Sequence, residues 1–444
     1  MKLNMKKNYL KQRGITLIAL VITIAVLLIL AAVSISALFG DSGIIDRAKE
    51  AQSETNQATE RDKKEIKELS NWLDSKINKT TEGNKNVPVT PTADTAPFYP
   101  DETFTKEEET DLDNGLVIKD ASRNEYVWIE VPKSLYANSS YNTETTTGDK
   151  KPSSSTDYDK IEYCLHKYTD YYRNGTSYTD TYYSDETTGL TSAQYTELKQ
   201  KMLKSLYENG GFWIGRYEAG IETNRTSSST AITVDPISKQ GTAENPVYPY
   251  TFITCSQAQT LASQLSTGKN YTSSLMFGVQ WDLVLKHIEV KEVAKGTALA
   301  TIQSALRRDS KDWGNYYNAS FEINRGKYAK YLTLTTWYNY NTALANCVTY
   351  ANGTSTKVSA SSSNNSILLT TGASDACRKM NIYDLAGNVS EWTLEYTADS
   401  YNPCAIRSGS YFDTNGSLYS ASYRNSDITT SSSCPIGFRV ALFK

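Results

Sequence analysis

The sequence predicts an α+β protein, a long N-terminal helix followed by a large head that mixes strands and helices. Three observations carry this reading. Twenty-five residues from Ile15 to Phe39 pass without a charge. A Pro/Thr-rich stretch interrupts the chain further on, and beyond it short β-branched and aromatic runs alternate with segments of helical period.

As a helix the uncharged run spans about 38 Å, enough to cross a bilayer. Lys2, Lys6, Lys7, Lys11 and Arg13 precede it with no acidic residue among them, which favours a cytoplasmic N-terminus and an exported remainder. A secretory signal would end in a small-residue cleavage site on the far side of the run, and Ala31-Ala32 and Ser34-Ile35-Ser36 match that only loosely. Here the breaker, Gly14, stands before the apolar part. Basic residues followed by Gly14-Ile15-Thr16-Leu17-Ile18 resemble the type IV prepilin leader. The resemblance implies cleavage between Gly14 and Ile15 by a prepilin peptidase, and partners in other pilin subunits and the membrane. Pilins of this kind carry Glu at the fifth mature residue, whereas this chain has Ala19. A shaft subunit would thereby lose a buried pairing partner, so the departure points to a minor or tip subunit. An ordinary single-span anchor is the plainer alternative.

From Asp41 to Asn78 the apolar positions Ile45, Ala48, Ile66, Leu69, Leu73 and Ile77 suit one face of a helix, with Asp41 and Ser42 to cap it. The predicted organisation is a leader over 1–14, a stalk helix over 15–78, a linker over 79–97 and a head over 98–444. Within the head, residues 134–195 are rich in Ser, Thr, Tyr and Asp and read as a polar, Tyr-rich insertion. The leader holds five of the 46 basic residues, leaving 41 against 49 acidic ones, about −8 for the mature chain. With no basic run beyond the leader, nucleic acid is not an expected partner.

The chain has 32 Tyr against ten Phe. Tyrosine combines a broad apolar face with a polar tip and suits adaptable contact surfaces, although strand packing alone also favours it. Six cysteines, Cys164, Cys255, Cys347, Cys377, Cys404 and Cys434, lie beyond the apolar run without a Cys-x-x-Cys pair. In an exported head their number predicts at least one disulfide and argues against a zinc knuckle. Gly115–Lys119, Tyr126–Val131 and Gly211–Glu218 read as strands, and Ser256–Leu265, capped by Thr254, and Val279–Ile288 as helices.

Short motifs then follow in order: Phe212-Trp-Ile-Gly-Arg-Tyr-Glu218, Pro246-Val247, Ser274-Leu-Met-Phe-Gly-Val-Gln-Trp281, Trp313-Gly-Asn315, Ile382-Tyr-Asp-Leu-Ala-Gly-Asn-Val-Ser-Glu-Trp392, Arg407-Ser-Gly-Ser-Tyr411 and Gly437-Phe-Arg-Val440. Together they resemble the formylglycine-generating-enzyme-like, or sulfatase-modifying-factor, superfamily, which implies a variant of the C-type lectin fold over about 115–132 and 210–444. That superfamily includes oxidases, iron-dependent enzymes and binders without catalysis, so the fold leaves function open.

The resemblance implies two chemistries, and counting tests both. The oxidase binds copper through two cysteines between the Arg-Ser-Gly-Ser and Gly-Phe-Arg motifs, but Tyr411–Ser433 contains no cysteine. The iron enzymes use three histidines, and the whole chain has two, His166 and His287, both read as packing or surface residues. No catalytic residue is therefore assigned. The resemblance further implies a structural calcium held by Asp384, Gly387, Val389 and Glu391, with Gly387 and Val389 acting through carbonyls; a plain tight turn is the alternative. It also places the ligand cleft over 408–433, where Tyr411, Asn415, Tyr419, Tyr423 and Asn425 form a contact surface and Arg424 a hydrogen-bonding fork, a structural arginine within the fold being the equal alternative for Arg424. The same cleft is diversified in lectin-fold proteins mutated by retroelements. The function read from the sequence is a minor pilin-like surface protein, anchored as a precursor, whose extracellular head recognises a protein or glycan. A sulfatase-modifying enzyme and a structural pilus subunit are the alternatives.

Overall fold

The computed structural model describes residues 22, 24, 26–28, 30, 92–173, 177–331, 333–414 and 419–444. The chain divides into two units, Met1–Asn84 and Lys85–Lys444. In the first, Ile22, Ile24, Val26, Leu27, Leu28 and Leu30 are helical. Among the described residues no helix is long and apolar enough to cross a membrane. The Gly14–Ile15 processing site, the 41–78 helix and most of the 79–97 linker lie outside the described residues.

The second unit has two large sheets, beside which stand smaller sheets of two or three strands. Strands β1 (Thr105–Lys106), β2 (Val117–Lys119), β3 (Glu125–Glu130), β4 (Tyr178–Thr179), β5 (Gly211–Gly215), β6 (Thr272–Leu275), β7 (Ser390–Thr397), β8 (Cys404–Arg407), β9 (Arg424–Asp427), β10 (Ile436–Phe438) and β11 (Val440–Phe443) position everything that follows. The larger sheet runs β1-β2-β3-β5-β11-β6, and the second runs β9-β8-β7-β10 with β4 also pairing β7. Every neighbouring pair in the larger sheet is antiparallel, whereas β7 and β10 are parallel.

Helices α1 (Tyr158–Tyr168), α2 (Ser192–Asn209), α3 (Cys255–Gln264), α4 (Gly278–Ala294) and α5 (Leu299–Arg307) pack around these sheets. The central run of β3, Tyr-Val-Trp-Ile, is buried throughout, with no polar alternation. Strands covered on both faces read this way, and α4 packs on β3 while α2 packs on β5. Trp128 and Trp213 sit opposite each other across these two strands with ring centroids 5.0 Å apart. Helices α2 and α3 each begin in a capping box, Thr191 with Gln194 and Thr254 with Gln257. The Thr254 start agrees with the sequence to within one residue.

Three expectations need correction. Residues 134–195 are not an excursion from the core: Leu135, Tyr136, Ile161, Cys164, Leu165, Tyr172 and Tyr195 belong to the main hydrophobic cluster. Sparse aliphatics suffice here because α1 presents them on one face. The head also begins before residue 98, since Ala96 donates its N–H to Asn209 at 2.8 Å and Trp128 Nε1 reaches Thr95 Oγ1 at 2.9 Å. Finally, all six cysteines are unbridged, five of them buried. Of these, Cys255 and Cys404 have hydrogen-bonding neighbours in each other.

Candidate functional site: an aromatic face on a buried charge frame

Arg407 and Arg424, either side of the predicted cleft residues in sequence, belong to an interior square of charges. Arg407, at the end of β8, reaches Asp282 of α4 at 2.9 Å and Glu395 of β7 at 3.4 Å. Arg424, opposite it at the start of β9, reaches the same two carboxylates at 2.5 and 2.9 Å and donates to the Tyr172 carbonyl at 2.7 Å. All four side chains are at most 1% exposed. Burial works against the Arg424 charge, but Asp282 and Glu395 outweigh it and raise its pKa. Arg407 is lowered, by burial and by the neighbouring Arg424. Buried charges persist when paired and hydrogen-bonded in this way. The expected role of Arg424 as a ligand-facing fork is thus corrected: its donors are directed inward.

The other predicted contact residues separate. Tyr411 is buried, its hydroxyl 3.6 Å from Cys434 Sγ. Tyr419 and Tyr423 are half-buried and meet edge to face at 5.3 Å, and the Tyr419 carbonyl accepts from the Tyr316 hydroxyl at 2.7 Å. Asn425 is exposed on β9, opposite Ile406. Asn415 lies outside the described residues. Tyr411 therefore lies beneath the surface, whereas Tyr419 and Tyr423 pair with each other and Asn425 is exposed.

What does form a patch is a group the sequence reading passed over. Tyr331, Leu334, Trp337 and Phe412 are half-buried and pack over Tyr411, Val389 and Leu368. Tyr331 and Phe412 stack at 5.5 Å with 21° between their planes. Trp337 opens a short strand, Trp337–Asn339, donates its indole N–H to the Leu334 carbonyl at 3.0 Å, and meets Tyr248 at 4.7 Å. The rings are held by one another and by backbone, so little rotamer freedom remains to be lost on binding. An arrangement of this kind can bury apolar sugar faces or apolar side chains, its indole N–H already satisfied by the Leu334 carbonyl. The signal in the sequence was modest: Tyr331 and Trp337 flank a Thr-rich run, and Phe412 directly follows the predicted Tyr411.

The predicted calcium loop is a second buried charge group. Arg439 fills both oxygens of Glu391, at 2.7 and 3.2 Å, and donates to the carbonyls of Gly215 and Tyr383. Glu218 accepts from Asn388 Nδ2 at 2.8 Å and from the Val389 N–H at 3.1 Å. Asp384 Oδ2 accepts from the Gly372 N–H at 2.8 Å, while Oδ1 has no partner. Burial raises Asp384 to about 7, and raises Glu218 well above the usual carboxylate range with help from Asp384 and Glu391. Gly387, at φ +72°, lies against the Asn315 backbone. Of the two carboxylates expected to hold calcium, Glu391 is already neutralised by a guanidinium, which leaves Asp384 Oδ1 as the open carboxylate oxygen of that pair.

A family model described as a sulfatase-modifying factor enzyme 1-like domain matches residues 186–443. Among solved structures the chain is similar to one titled "Crystal Structure of CarF", at 14% identity over 53% of this chain and 87% of that one, TM-score 0.29. It is also similar to Treponema denticola variable protein 1, at 12% identity over 53% and 85%, TM-score 0.29. No curated protein matches the chain.

Proposed function

The chain belongs to the sulfatase-modifying factor enzyme 1-like family, and from that premise we propose that it is a minor type IV pilin-like surface protein whose lectin-like head recognises a ligand without catalysis. The observation that carries the recognition reading is the aromatic face of Tyr331, Trp337 and Phe412, which pack over one buried cluster with Tyr331 and Phe412 stacked. The ligand class is a surface glycan or protein, for which rigid aromatics supply contact area. Support for the absence of catalysis is chemical: Cys434 is the one cysteine near the Gly-Phe-Arg motif, and the chain has two histidines. Support for display on a pilus or cell surface is the leader-like order of basic residues, Gly14 and the uncharged run.

Full-length protein in detergent, applied to glycan and surface-protein arrays, is expected to bind a restricted set of ligands. Trp337→Ala with Phe412→Ala should abolish that binding while leaving the thermal transition of the head in place. Copper- or iron-dependent turnover by the same preparation would instead favour a sulfatase-modifying enzyme. Binding to nothing, with abundant incorporation along filaments, would favour a purely structural subunit.

A further inference from the structure

Residues between α1 and α2 wall a cavity of about 780 Å³ whose lining includes Glu162, Asp180, Tyr195 and Lys199. Two of these wall residues, Glu162 and Asp180, and His166 behind them each bring one donor atom within 4.8 Å of the others. Helix α1 sets Glu162 and His166 four residues apart, the spacing that stacks two side chains on one helix face. Asp180 follows directly after β4. His166 Nε2 lies 3.6 Å from Glu162 Oε1, is closed to solvent and has no hydrogen-bond partner.

The remaining contacts leave this corner open. The two Asp180 oxygens accept the N–H groups of Gly278 and Val279, at 2.6 and 2.8 Å, and so anchor the start of α4. Each keeps a second lone pair. Lys199 Nζ takes Glu162 Oε2 at 2.8 Å and the Asp180 carbonyl at 2.9 Å, fixing the carboxylate while leaving Oε1 free of a protein donor. An interior nitrogen without a partner, beside two carboxylates with unused lone pairs, is a donor set lacking its acceptor.

We propose that Glu162, His166 and Asp180 bind a divalent transition-metal ion of the zinc class, through one imidazole nitrogen and two carboxylate oxygens. A nitrogen donor favours such an ion over calcium or magnesium. Bonds of about 2.0–2.2 Å place neighbouring donors roughly 3.5 Å apart, close to the separation His166 Nε2 and Glu162 Oε1 already have. The cavity is the entry path and leaves room for water at a fourth position. The site shares no residue with the aromatic face, so its failure would leave the recognition reading intact.

Calorimetric titration of chelator-treated full-length protein with Zn²⁺ alone tests the site. One ion per chain is expected. His166→Gln should weaken binding by more than the roughly 10–100-fold that groups outside a coordination sphere contribute. Unchanged affinity and stoichiometry in His166→Gln, or no binding by the parent protein, overturns the site. X-ray absorption of the zinc-loaded parent protein needs no variant to fold: a light-atom first shell with the outer-shell multiple scattering of one imidazole supports the assignment, and a light-atom shell without imidazole scattering overturns it.

Discussion

Arg424 and Asp282 are joined across 142 positions of sequence, and Arg424 and Glu395 across 29. A guanidinium that faces a ligand and one that holds two buried carboxylates look alike until the fold brings those carboxylates in, which is why the role of Arg424 was not legible beforehand. Removing it leaves Arg407 alone against two interior carboxylates, one of their charges uncompensated, so Arg424→Met is expected to cost about 3–5 kcal/mol, measured by chemical denaturation. The exposed Asn425→Ala should stay within about 0.5 kcal/mol; equal effects of the two would remove the distinction. Asp384 gives a pH test. Burial raises it from an ordinary 3.8 to about 7. Between those values the folded protein holds a proton the unfolded chain has released, so its contribution is full below about pH 4 and is lost as pH climbs to about 7. Asp384→Asn keeps an acceptor for Gly372 and has no proton to lose. The variant should therefore gain on the parent protein as pH rises from about 5 to about 8, and parallel stability curves would contradict this. His166 and His287, lowered to about 3 chiefly by burial, act in the opposite sense, which is why the comparison between the two proteins is the quantity to read.

Elements with local signals were legible. The Thr254 cap, the apolar runs of β3 and β5 and the early turns of α4 each depend on residues within one segment, so pattern and spacing sufficed. The 134–195 segment was misread because its few aliphatics are spread over α1 and neighbouring turns, where composition hides a shared face. The aromatic patch was missed because Trp337, Phe412 and Tyr248 come from three separate segments. Thr254→Ala should cost about 1 kcal/mol by freeing the first N–H groups of α3, read as a lower denaturation midpoint with an unchanged slope. The loop from Asp384 to Glu391 makes a further prediction. With Arg439 bonded to Glu391, millimolar Ca²⁺ should leave the melting temperature of the head unchanged, whereas a rise that scales with ion concentration would reveal a native-state site.

At the scale of the molecule the proposal joins an N-terminal stem to a recognition head. The head's family was legible from seven short motifs in order, because each is a contiguous run of residues that can be read without knowing what the fold brings beside it. Its binding face was not, since that surface exists only once distant segments fold together. In cells with a prepilin peptidase, intact mass should show the chain starting at Ile15; retention of the leader would contradict the stem without touching the head. The claim on which the account rests is that the rings of Tyr331, Trp337 and Phe412 make the ligand contact. The most direct measurement is array binding by full-length parent protein beside its Trp337→Ala/Phe412→Ala variant, with thermal melts run on both. The account predicts ligands bound by the parent and lost, by at least about tenfold or 1.4 kcal/mol, in a variant that still folds. Equal binding by the two proteins would contradict it.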